Sequence, residues 1–562
     1  MKKPVSLYLC LILLAGCGPK PDHDVMVKMR DGIRLLTDVY LPDGEGPFPV
    51  ILCRVPYGTR TEYVFQYKVG RYFADRGFAY VAQDVRGRFG SEGVFNAYVD
   101  GHEIPDAYDT IDWIVEQDWS NDNIGVMGES YYGYTTLAAA ASGHPAIKAI
   151  SPANITIIRE KQTLDGAYPI QASGMWALDM DDAEHGEYQD TSAVDITSLP
   201  LIDWGKSAGI RDVLWKQRVT DYLVDPQGRI QKAYAQLGEI NVPGLYFGGW
   251  YDSFTRGSID MWNRALQGKR GDEQWLVMGP WDHESLSAGV SGYELENRVG
   301  KIDIGDAAAM TYYELLTEFF SNYLKQEKND FEERLPVLYF NIGDNGWRQS
   351  HAWPEKRVRF QSLYLSDGAL DGAVPENASV ANYRYDPGDP VNISADTNVW
   401  SRAASQPDRS ALLERDDVLT YESDVLAGDL DISGPITVQL YASSSAVDTD
   451  FTAALVDVFP DGYSLLIQEG ILRASYRDKT ARPSPIEAGT VYRFDIDLWA
   501  TSFTVPAGHK LRVEISSSNF PRFARNLNSG EPFGMSDRIE VAEQTIYHSR
   551  EYPSRLVLPV ID

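Results

Sequence analysis

The chain has 562 residues, of which 43% are hydrophobic and 23% charged, a balance typical of a globular protein with a large core. Its formal net charge of −30 argues against nucleic acid as a partner, because binding to phosphates requires a positive surface. No apolar run beyond the N-terminus reaches the roughly 20 residues of a membrane-spanning helix.

The N-terminal segment resembles the export signal of a bacterial lipoprotein. Lys2 and Lys3 precede a short apolar stretch, which ends in Leu14-Ala15-Gly16-Cys17. Small residues before a cysteine suit cleavage by a signal peptidase, and Cys17 would then carry the lipid. We predict a signal peptide over 1–16, a tether over 17–24 and an exported lipoprotein on a membrane facing the periplasm or the cell exterior. An ordinary cleaved signal with a chance cysteine is the alternative.

Cysteine usage excludes an internal disulfide in the processed chain. The three cysteines are Cys10, Cys17 and Cys53, and only Cys53 remains once the signal is removed and Cys17 is lipidated. The chain has no Cys-x-x-Cys motif and no clustered Cys and His residues, so we expect no metal and no other cofactor.

Residues 25–155 alternate short apolar strands with amphipathic helices. The predicted strands cover 48–55, 78–83, 124–127 and 146–151, and the predicted helices cover 64–76 and 108–117. The same alternation returns over 240–352, with strands at 242–248 and 274–278 and helices at 258–266 and 307–325. Alternation of this kind predicts a parallel sheet covered by helices on both faces.

Two other segments follow different patterns. Residues 156–239 are rich in Asp, Trp, Tyr and Met, with helical stretches at 210–221 and 230–237, and we interpret them as a helical insertion. Residues 353–562 show a period of two in short stretches between turn residues, namely 436–441, 452–458, 492–498 and 511–516. This pattern predicts an all-β sandwich or jelly roll.

The clearest chemical motif is Gly125-Val126-Met127-Gly128-Glu129-Ser130-Tyr131-Tyr132-Gly133. An apolar strand leads into a serine flanked by glycines, and an alanine-rich helix follows. A nucleophile elbow requires this context, because its tight turn needs small neighbours and raises the serine above the sheet. The motif departs from Gly-x-Ser-x-Gly, since Tyr132 occupies the last position. A serine in an ordinary surface loop is the alternative.

A serine nucleophile needs a histidine base and a carboxylate that orients the base. Gly248-Gly249-Trp250-Tyr251-Asp252 ends one apolar strand, and Gly279-Pro280-Trp281-Asp282-His283 ends the next. The order Ser130, Asp252, His283 is that of the α/β-hydrolase fold. We therefore predict an α/β-hydrolase domain with a helical cap insertion, followed by an all-β jelly-roll domain. Asp282 is interpreted as a solvated neighbour of the base.

Most histidines in proteins are structural, but His283 alone has this placement at a strand end. The seven others lie in loops or the insertion, in or near the β domain, or in the tether: His102, His144, His185, His351, His509, His548 and His23.

With these motifs the chain resembles the family of cocaine esterases and X-prolyl dipeptidyl peptidases, which includes α-amino-acid ester hydrolases and cephalosporin acylases. The family elbow is Gly-x-Ser-Tyr-x-Gly, and residues 128–133 match it. Similar segments span nearly the whole mature chain: Met29-Arg30-Asp31-Gly32, Asp38-Val39-Tyr40-Leu41-Pro42, Asp84-Val85-Arg86-Gly87-Arg88, Gly249-Trp250-Tyr251-Asp252, Gly279-Pro280-Trp281-Asp282-His283, Leu511-Arg512-Val513-Glu514-Ile515-Ser516 and Asn519-Phe520-Pro521-Arg522-Phe523.

The resemblance implies an oxyanion hole built from a tyrosine hydroxyl and one backbone N–H. The matching residues are Tyr57, in Val55-Pro56-Tyr57-Gly58, and the N–H of Tyr131. A phenol is a suitable donor to an oxyanion. The alternative for Tyr57 is an aromatic side chain that packs in a proline turn.

Other residues near these motifs are assigned by context. Trp176, Phe254 and Trp281 could line an acyl or amine pocket, or belong to the core. The Gly- and Arg-containing segment 84–93 lacks the Gly-Lys-Ser/Thr ending of a phosphate-binding loop, so we interpret it as a structural loop beside the elbow.

We expect a serine hydrolase that cleaves an ester or amide of a small molecule or short peptide. A dipeptidyl peptidase that cleaves after proline is the first alternative, and it needs a carboxylate for the substrate's ammonium group; the candidates in the insertion are Asp179, Asp181, Asp182 and Glu184. A surface-displayed binding protein with an inert hydrolase domain is the second.

Overall fold

The computed structural model describes residues 21–98, 101–155, 165–182, 186–224, 237–286, 290, 297–310, 312–327, 329–392, 400, 407–479 and 483–561. Within them lie two large sheets. A group of helices comes, in chain order, between the two halves of the first sheet. Cys17 and the predicted signal peptide lie outside the described residues. No described helix is long and apolar enough to cross a bilayer.

The first half of the chain forms a sheet flanked by helices. Its strands, with a small separate hairpin of β9 and β10, are β1 (His23–Lys28), β2 (Arg34–Tyr40), β3 (Phe48–Val55), β4 (Ala79–Asp84), β5 (Ser120–Glu129), β6 (Ile147–Ala153), β7 (Gly244–Gly249), β8 (Gln274–Gly279), β9 (Arg298–Val299), β10 (Ile302–Asp303), β11 (Val337–Asn341) and β12 (Gly346–Ser350). The helices are α1 (Gln66–Ala74), α2 (Glu103–Val115), α3 (Tyr131–Ser142), α4 (Met175–Asp179), α5 (Trp204–Ala208), α6 (Val213–Val224), α7 (Thr255–Ala265) and α8 (Tyr312–Leu324).

The ten strands of this sheet have the order β1-β2-β4-β3-β5-β6-β7-β8-β11-β12. All pairs from β4 to β11 are parallel, and antiparallel strands close both edges. The predicted parallel sheet is thereby confirmed. The strands β5, β6, β7 and β8 are neighbours, so their carboxyl ends meet at one edge, where ligands bind in open α/β sheets.

One boundary predicted from the sequence needs correction. The tether was expected to run to residue 24, but β1 begins at His23, because His23 and Asp24 pair with Val39 and Asp38 of β2. The predicted helix at 210–221 corresponds to α6, which spans Val213–Val224. The helix predicted at 230–237 lies, except for residue 237, outside the described residues.

The C-terminal part forms a second sheet of eleven strands, confirming the predicted β domain. Ten follow the order β15-β22-β17-β23-β13-β14-β16-β21-β18-β19, and β20 pairs with β17. The strands are β13 (Val358–Ser366), β14 (Ala369–Asp371), β15 (Ser379–Tyr385), β16 (Leu419–Glu422), β17 (Leu430–Ser444), β18 (Asp450–Val458), β19 (Ser464–Arg473), β20 (Tyr492–Val505), β21 (Lys510–Ser516), β22 (Ala542–His548) and β23 (Arg555–Ile561).

One large hydrophobic cluster extends from the first sheet into the β domain. The central strand β3 is buried along almost its whole length, and its Cys53 is a free thiol inside this core. Burial raises the pKa of the Cys53 thiol to about 12, so the thiol stays protonated and unreactive in the folded protein.

Candidate active site

The turn between β5 and α3 holds Ser130 in an unusual backbone conformation. Its φ of 59° and ψ of −125° fall in a region that L-residues rarely adopt. The backbone N–H of Ser130 donates to the carbonyl of Ala153 on β6 at 3.0 Å. Strand, strained residue and helix follow each other directly, which is the geometry of a nucleophile elbow.

Two glycines make this turn possible. A Cβ at Gly128 would lie 2.2 Å from the carbonyl oxygen of Tyr132, and one at Gly133 would lie 2.8 Å from the carbonyl oxygen of Ala153. Both obstacles are backbone atoms, so neither can move away cheaply. The close approach to β6 therefore occurs at Gly133, which explains why Tyr132 is tolerated where Gly-x-Ser-x-Gly has its last glycine.

Asp252 and His283 meet at the same edge of the sheet. They follow β7 and β8, and Nδ1 of His283 lies 3.2 Å from each carboxylate oxygen of Asp252. The carboxylate is fully buried and also accepts the backbone N–H of Phe254 at 2.8 Å. The carboxylate thus holds the imidazole with its Nε2 directed away from Asp252.

The surroundings of His283 favour its protonated form. Burial alone would lower the pKa of His283, but the carboxylates of Asp252 and Glu129 outweigh it and raise the pKa above its ordinary value. An imidazole of this kind is well suited to receive a proton during a reaction.

Glu129 was not singled out from the sequence. It lies directly before Ser130, and its Oε1 accepts a hydrogen bond from Nδ2 of Asn154 at 2.9 Å. Burial raises the pKa of Glu129 to about 7, although His283 and Asn154 favour the charged form. The available signal was a carboxylate inside a buried strand, since such residues are rare without a partner.

Tyr57, Tyr131 and Trp176 lie close together in the structure. Nε1 of Trp176 donates to the hydroxyl oxygen of Tyr57 at 3.1 Å. The Trp176 ring also stacks on the Tyr131 ring, with centroids 6.0 Å apart. The residue that supplies the predicted backbone N–H is therefore next to the pair formed by Tyr57 and Trp176.

Phe254 and Trp281 have different surroundings. The ring of Phe254 contacts His283 with centroids 5.2 Å apart. Trp281 is buried against Trp347 at 5.7 Å, a position that favours a role in the core over one in a pocket. Trp400, which no sequence motif marks, has its ring centroid 4.8 Å from that of His283, and its carbonyl accepts the backbone N–H of His283 at 3.0 Å.

The acidic residues near the site serve local contacts. Asp282 is not solvated as predicted: it is buried, and its Oδ1 accepts three hydrogen bonds from Ser285 and Glu284, which fold the loop after β8. Asp181 pairs with Arg211 at 2.8 Å, and Asp179 accepts the Thr191 hydroxyl at 2.6 Å. Asp182 is partly exposed, and Glu184 lies outside the described residues.

No group of three or more Cys, His, Asp and Glu side chains arranged to hold a metal ion occurs among the described residues.

Comparison with known proteins identifies related families over both domains. The profile described as X-Pro dipeptidyl-peptidase (S15 family) matches residues 31–285, which include every residue of the candidate active site described above except Trp347 and Trp400. The profile described as the X-Pro dipeptidyl-peptidase C-terminal non-catalytic domain matches residues 329–557.

Individual relatives resemble the chain along its whole length. A cocaine esterase from Rhodococcus sp. (strain MB1 Bresler) is 34% identical over 96% of this chain and 98% of its own. The solved structure of an α-amino acid ester hydrolase has a TM-score of 0.84 at 27% identity and covers 100% of both chains. An aminopeptidase from the marine sediment archaeon Thaumarchaeota archaeon has a TM-score of 0.84 at 26% identity over 96% of both chains.

Proposed function

This chain belongs to the X-Pro dipeptidyl-peptidase (S15) family of serine hydrolases, and from that premise we propose that it cleaves a carboxylic ester or an amide through an acyl-enzyme intermediate. Ser130 is the nucleophile in this proposal, His283 the general base and Asp252 the residue that orients the base. The observation that carries it is the contact between His283 and Asp252, at the sheet edge where the strained turn presents Ser130.

The reaction proceeds in two halves. Oγ of Ser130 attacks the substrate carbonyl carbon while its proton passes to Nε2 of His283, and the Tyr57 hydroxyl and the Tyr131 N–H stabilise the oxyanion. His283 then protonates the leaving alcohol or amine, which departs and leaves the acyl group on Ser130. Water, activated by the same base, attacks the acyl-enzyme and releases the acid. No cofactor takes part.

The charges around His283 support this sequence of steps. When the imidazole accepts the serine proton it becomes a cation, and the carboxylates of Asp252 and Glu129 stabilise that cation in a buried site. Phe254 and Trp400 border the imidazole and restrict the access of water to it.

An ester or acylamide substrate is the first choice within this reaction class. Recognition of a free N-terminus requires a carboxylate that is available to bind an ammonium group, and two of the four candidates, Asp179 and Asp181, are engaged by other side chains. The relative that is 34% identical is a cocaine esterase. Cleavage after proline remains the second candidate, favoured by the descriptions of both family profiles.

Replacement of Ser130 tests the proposal directly. We expect Ser130→Ala to reduce the hydrolysis of an accepted ester by about 10⁴-fold or more and to abolish covalent labelling by a fluorophosphonate, because only an activated serine reacts. Ser142→Ala is the matched control, since Ser142 lies at the far end of α3, where its hydroxyl donates to the Ala139 carbonyl and accepts the backbone N–H of His144.

The labelling result also separates an enzyme from an inert binding protein. An unlabelled wild-type chain that melts cooperatively would contradict the proposal and favour the binding protein. Near-wild-type turnover by Ser130→Ala would assign the nucleophile elsewhere.

A substrate panel separates the two hydrolase candidates. It contains p-nitrophenyl esters of short and aromatic acids, β-lactam amides and Gly-Pro-p-nitroanilide. We expect the highest kcat/KM on an ester or an acylamide; a preference for the Gly-Pro anilide would establish the peptidase instead.

We also propose that the protein is a lipoprotein anchored through Cys17. The motif Leu14-Ala15-Gly16-Cys17 supports this, and β1 begins at His23, so few residues separate the lipid from the catalytic domain. Cys17→Ser or treatment with globomycin should block processing or release the protein from membranes. Unchanged localisation under both conditions would disprove the anchor.

A further inference from the structure

The guanidinium of Arg88 is buried without a carboxylate partner. Arg88 has no exposed surface. Within the described part of the chain no Asp or Glu oxygen lies within ion-pair distance of it, and Asp182 acts on it only at longer range. Burial lowers the pKa of Arg88, which reflects the cost of removing a cation from water. Arg86, two residues earlier in the same motif, pairs instead with Asp106 at 2.6 Å and Asp31 at 2.7 Å.

The hydrogen bonds of Arg88 connect two separate segments. Its Nε donates to the carbonyl of Pro56 at 2.9 Å, and its Nη1 donates to the carbonyl of Met180 at 3.0 Å. Pro56 directly precedes Tyr57, and Met180 directly follows α4, which carries Trp176. One buried side chain thus links the loop that holds Tyr57 to the cap helix that holds Trp176.

These two segments meet in the hydrogen bond from Trp176 to Tyr57. A tyrosine hydroxyl has one proton and accepts through its lone pairs. Because the indole N–H occupies an acceptor position on the Tyr57 oxygen, the proton of Tyr57 is directed to another acceptor. A donor to the phenol oxygen also strengthens the phenol as a donor, because linked hydrogen bonds polarise one another.

Aromatic rings extend the connection around the guanidinium. Cζ of Arg88 lies 5.3 Å from the ring centroid of Phe95 and 5.8 Å from that of Tyr188. Tyr188 stacks parallel to Tyr57 with centroids 6.4 Å apart, and Phe95 contacts Trp176 at 6.3 Å. The charge is therefore enclosed by rings that also fix the positions of Tyr57 and Trp176.

We propose that Arg88 is a positioning residue of the oxyanion site, which acts through Tyr57 by joining the Pro56 carbonyl to the Met180 carbonyl and so fixing the Trp176–Tyr57 hydrogen bond. The inference rests on the proposed function, because it concerns the group that stabilises the oxyanion. Arg88 thereby has a role within the segment 84–93, whose composition alone indicates only a structural loop.

A double-mutant cycle with Tyr57 tests the inference. Tyr57→Phe should lower kcat on an accepted ester by about 10²–10³-fold, and Arg88→Met should lower it by roughly 10–100-fold with KM changed less than about threefold. If Arg88 acts through Tyr57, Arg88→Met in the Tyr57→Phe background should cost less than about twofold further. Losses that multiply, or an Arg88→Met enzyme within twofold of wild type, would overturn the inference.

Controls separate positioning from general destabilisation. Arg86→Met removes a cation from the same motif and should lower the melting temperature with kcat within about twofold of wild type. Arg88→Lys keeps the charge and one donor, so it should recover part of the lost kcat; recovery no greater than that of Arg88→Met would oppose the inference.

A binding readout covers the case in which Arg88→Met does not fold. Phenylboronic acid forms a tetrahedral adduct with a reactive serine, and its affinity for folded Arg88→Lys should fall in parallel with kcat/KM. Unchanged affinity would contradict a role at the oxyanion. An absence of boronate binding and of ester cleavage in the wild type would instead reject the proposed function.

Discussion

The carboxyl of Glu129 adds a charge to the site that the triad itself does not require. It faces His283, Asp252 and Tyr132, and the buried hydroxyls of Tyr312 and Tyr313 lie within its electrostatic reach. With a pKa raised to about 7 by burial, Glu129 changes charge near neutral pH, and its negative charge in turn helps to raise the pKa of His283. Glu129 therefore couples the protonation of the base to a second group.

Glu129→Gln should shift the pH profile of hydrolysis. The amide keeps an oxygen for Asn154 but removes the negative charge that raises the pKa of His283. The base then stays neutral at lower pH, so the acid limb of kcat/KM should move to lower pH by up to about one unit. A profile identical to that of the wild type would contradict the coupling.

The same variant has an expected effect on stability. Because the pKa of Glu129 is raised in the folded state, its contribution to stability is present at acidic pH and is lost as the pH rises through about 7. Thermal melting from pH 5 to pH 8 should therefore show Glu129→Gln gaining stability relative to the wild type. An equal difference in melting temperature at all pH values would mean that only local contacts changed.

Single residues were predictable where a local pattern marks a strand end. Ser130, Asp252 and His283 each follow a short apolar run, so their common edge could be predicted. Trp400 follows no such run, and its contact with His283 joins residues that are far apart in the sequence. The solvated position predicted for Asp282 was wrong because a local turn, invisible in composition, buries its carboxylate.

At the scale of elements, the approach of α3 to β6 depends on one missing side chain. Gly133 faces the carbonyl of Ala153, which also accepts the backbone N–H of Ser130. The carbonyl of Ala153 is thus a contact shared by the helix, the strand and the nucleophile, and its displacement would disturb the turn at Ser130.

Gly133→Ala should destabilise the protein and slow hydrolysis. An added Cβ would lie 2.8 Å from the Ala153 carbonyl oxygen, and such overpacking typically costs about 1–3 kcal/mol, against roughly 1 kcal/mol gained from helix propensity. Urea unfolding and kcat on an ester measure both effects. Gly428→Ala, where nothing lies within 4 Å, is the matched control. Unchanged stability and kcat in Gly133→Ala would mean that α3 shifts freely.

Elements were predicted well where their pattern is local and less well at their ends. The strand at 48–55 and the switch to a period of two after residue 352 follow from side-chain alternation within each segment. The helix α2 begins at Glu103 rather than at the predicted residue 108, because Pro105 is tolerated in a first helical turn.

At the scale of the whole molecule, the β domain contacts the residues that directly precede Asp252. Nε2 of Gln468 donates to the carbonyl of Trp250 at 2.7 Å, and the hydroxyl of Tyr251 donates to the carbonyl of Leu466 at 3.3 Å. These contacts hold the segment that leads to Asp252. They join residues more than 200 positions apart, so no sequence window could have predicted them, whereas the existence of two domains followed from pattern alone.

The buried thiol of Cys53 offers a chemical probe for the unfolding of the protein. In a version of the chain that begins after Cys17, Cys53 is the single cysteine, and it lies on a central strand in the core shared by both domains. A thiol-specific reagent can reach it only when that core opens, so labelling reports opening of the core rather than local fraying. The labelling rate equals the unfolding rate when the reagent reacts faster than the core closes again. The same thiol needs no oxidative partner, so the catalytic chain can fold in a reducing compartment without mispaired disulfides.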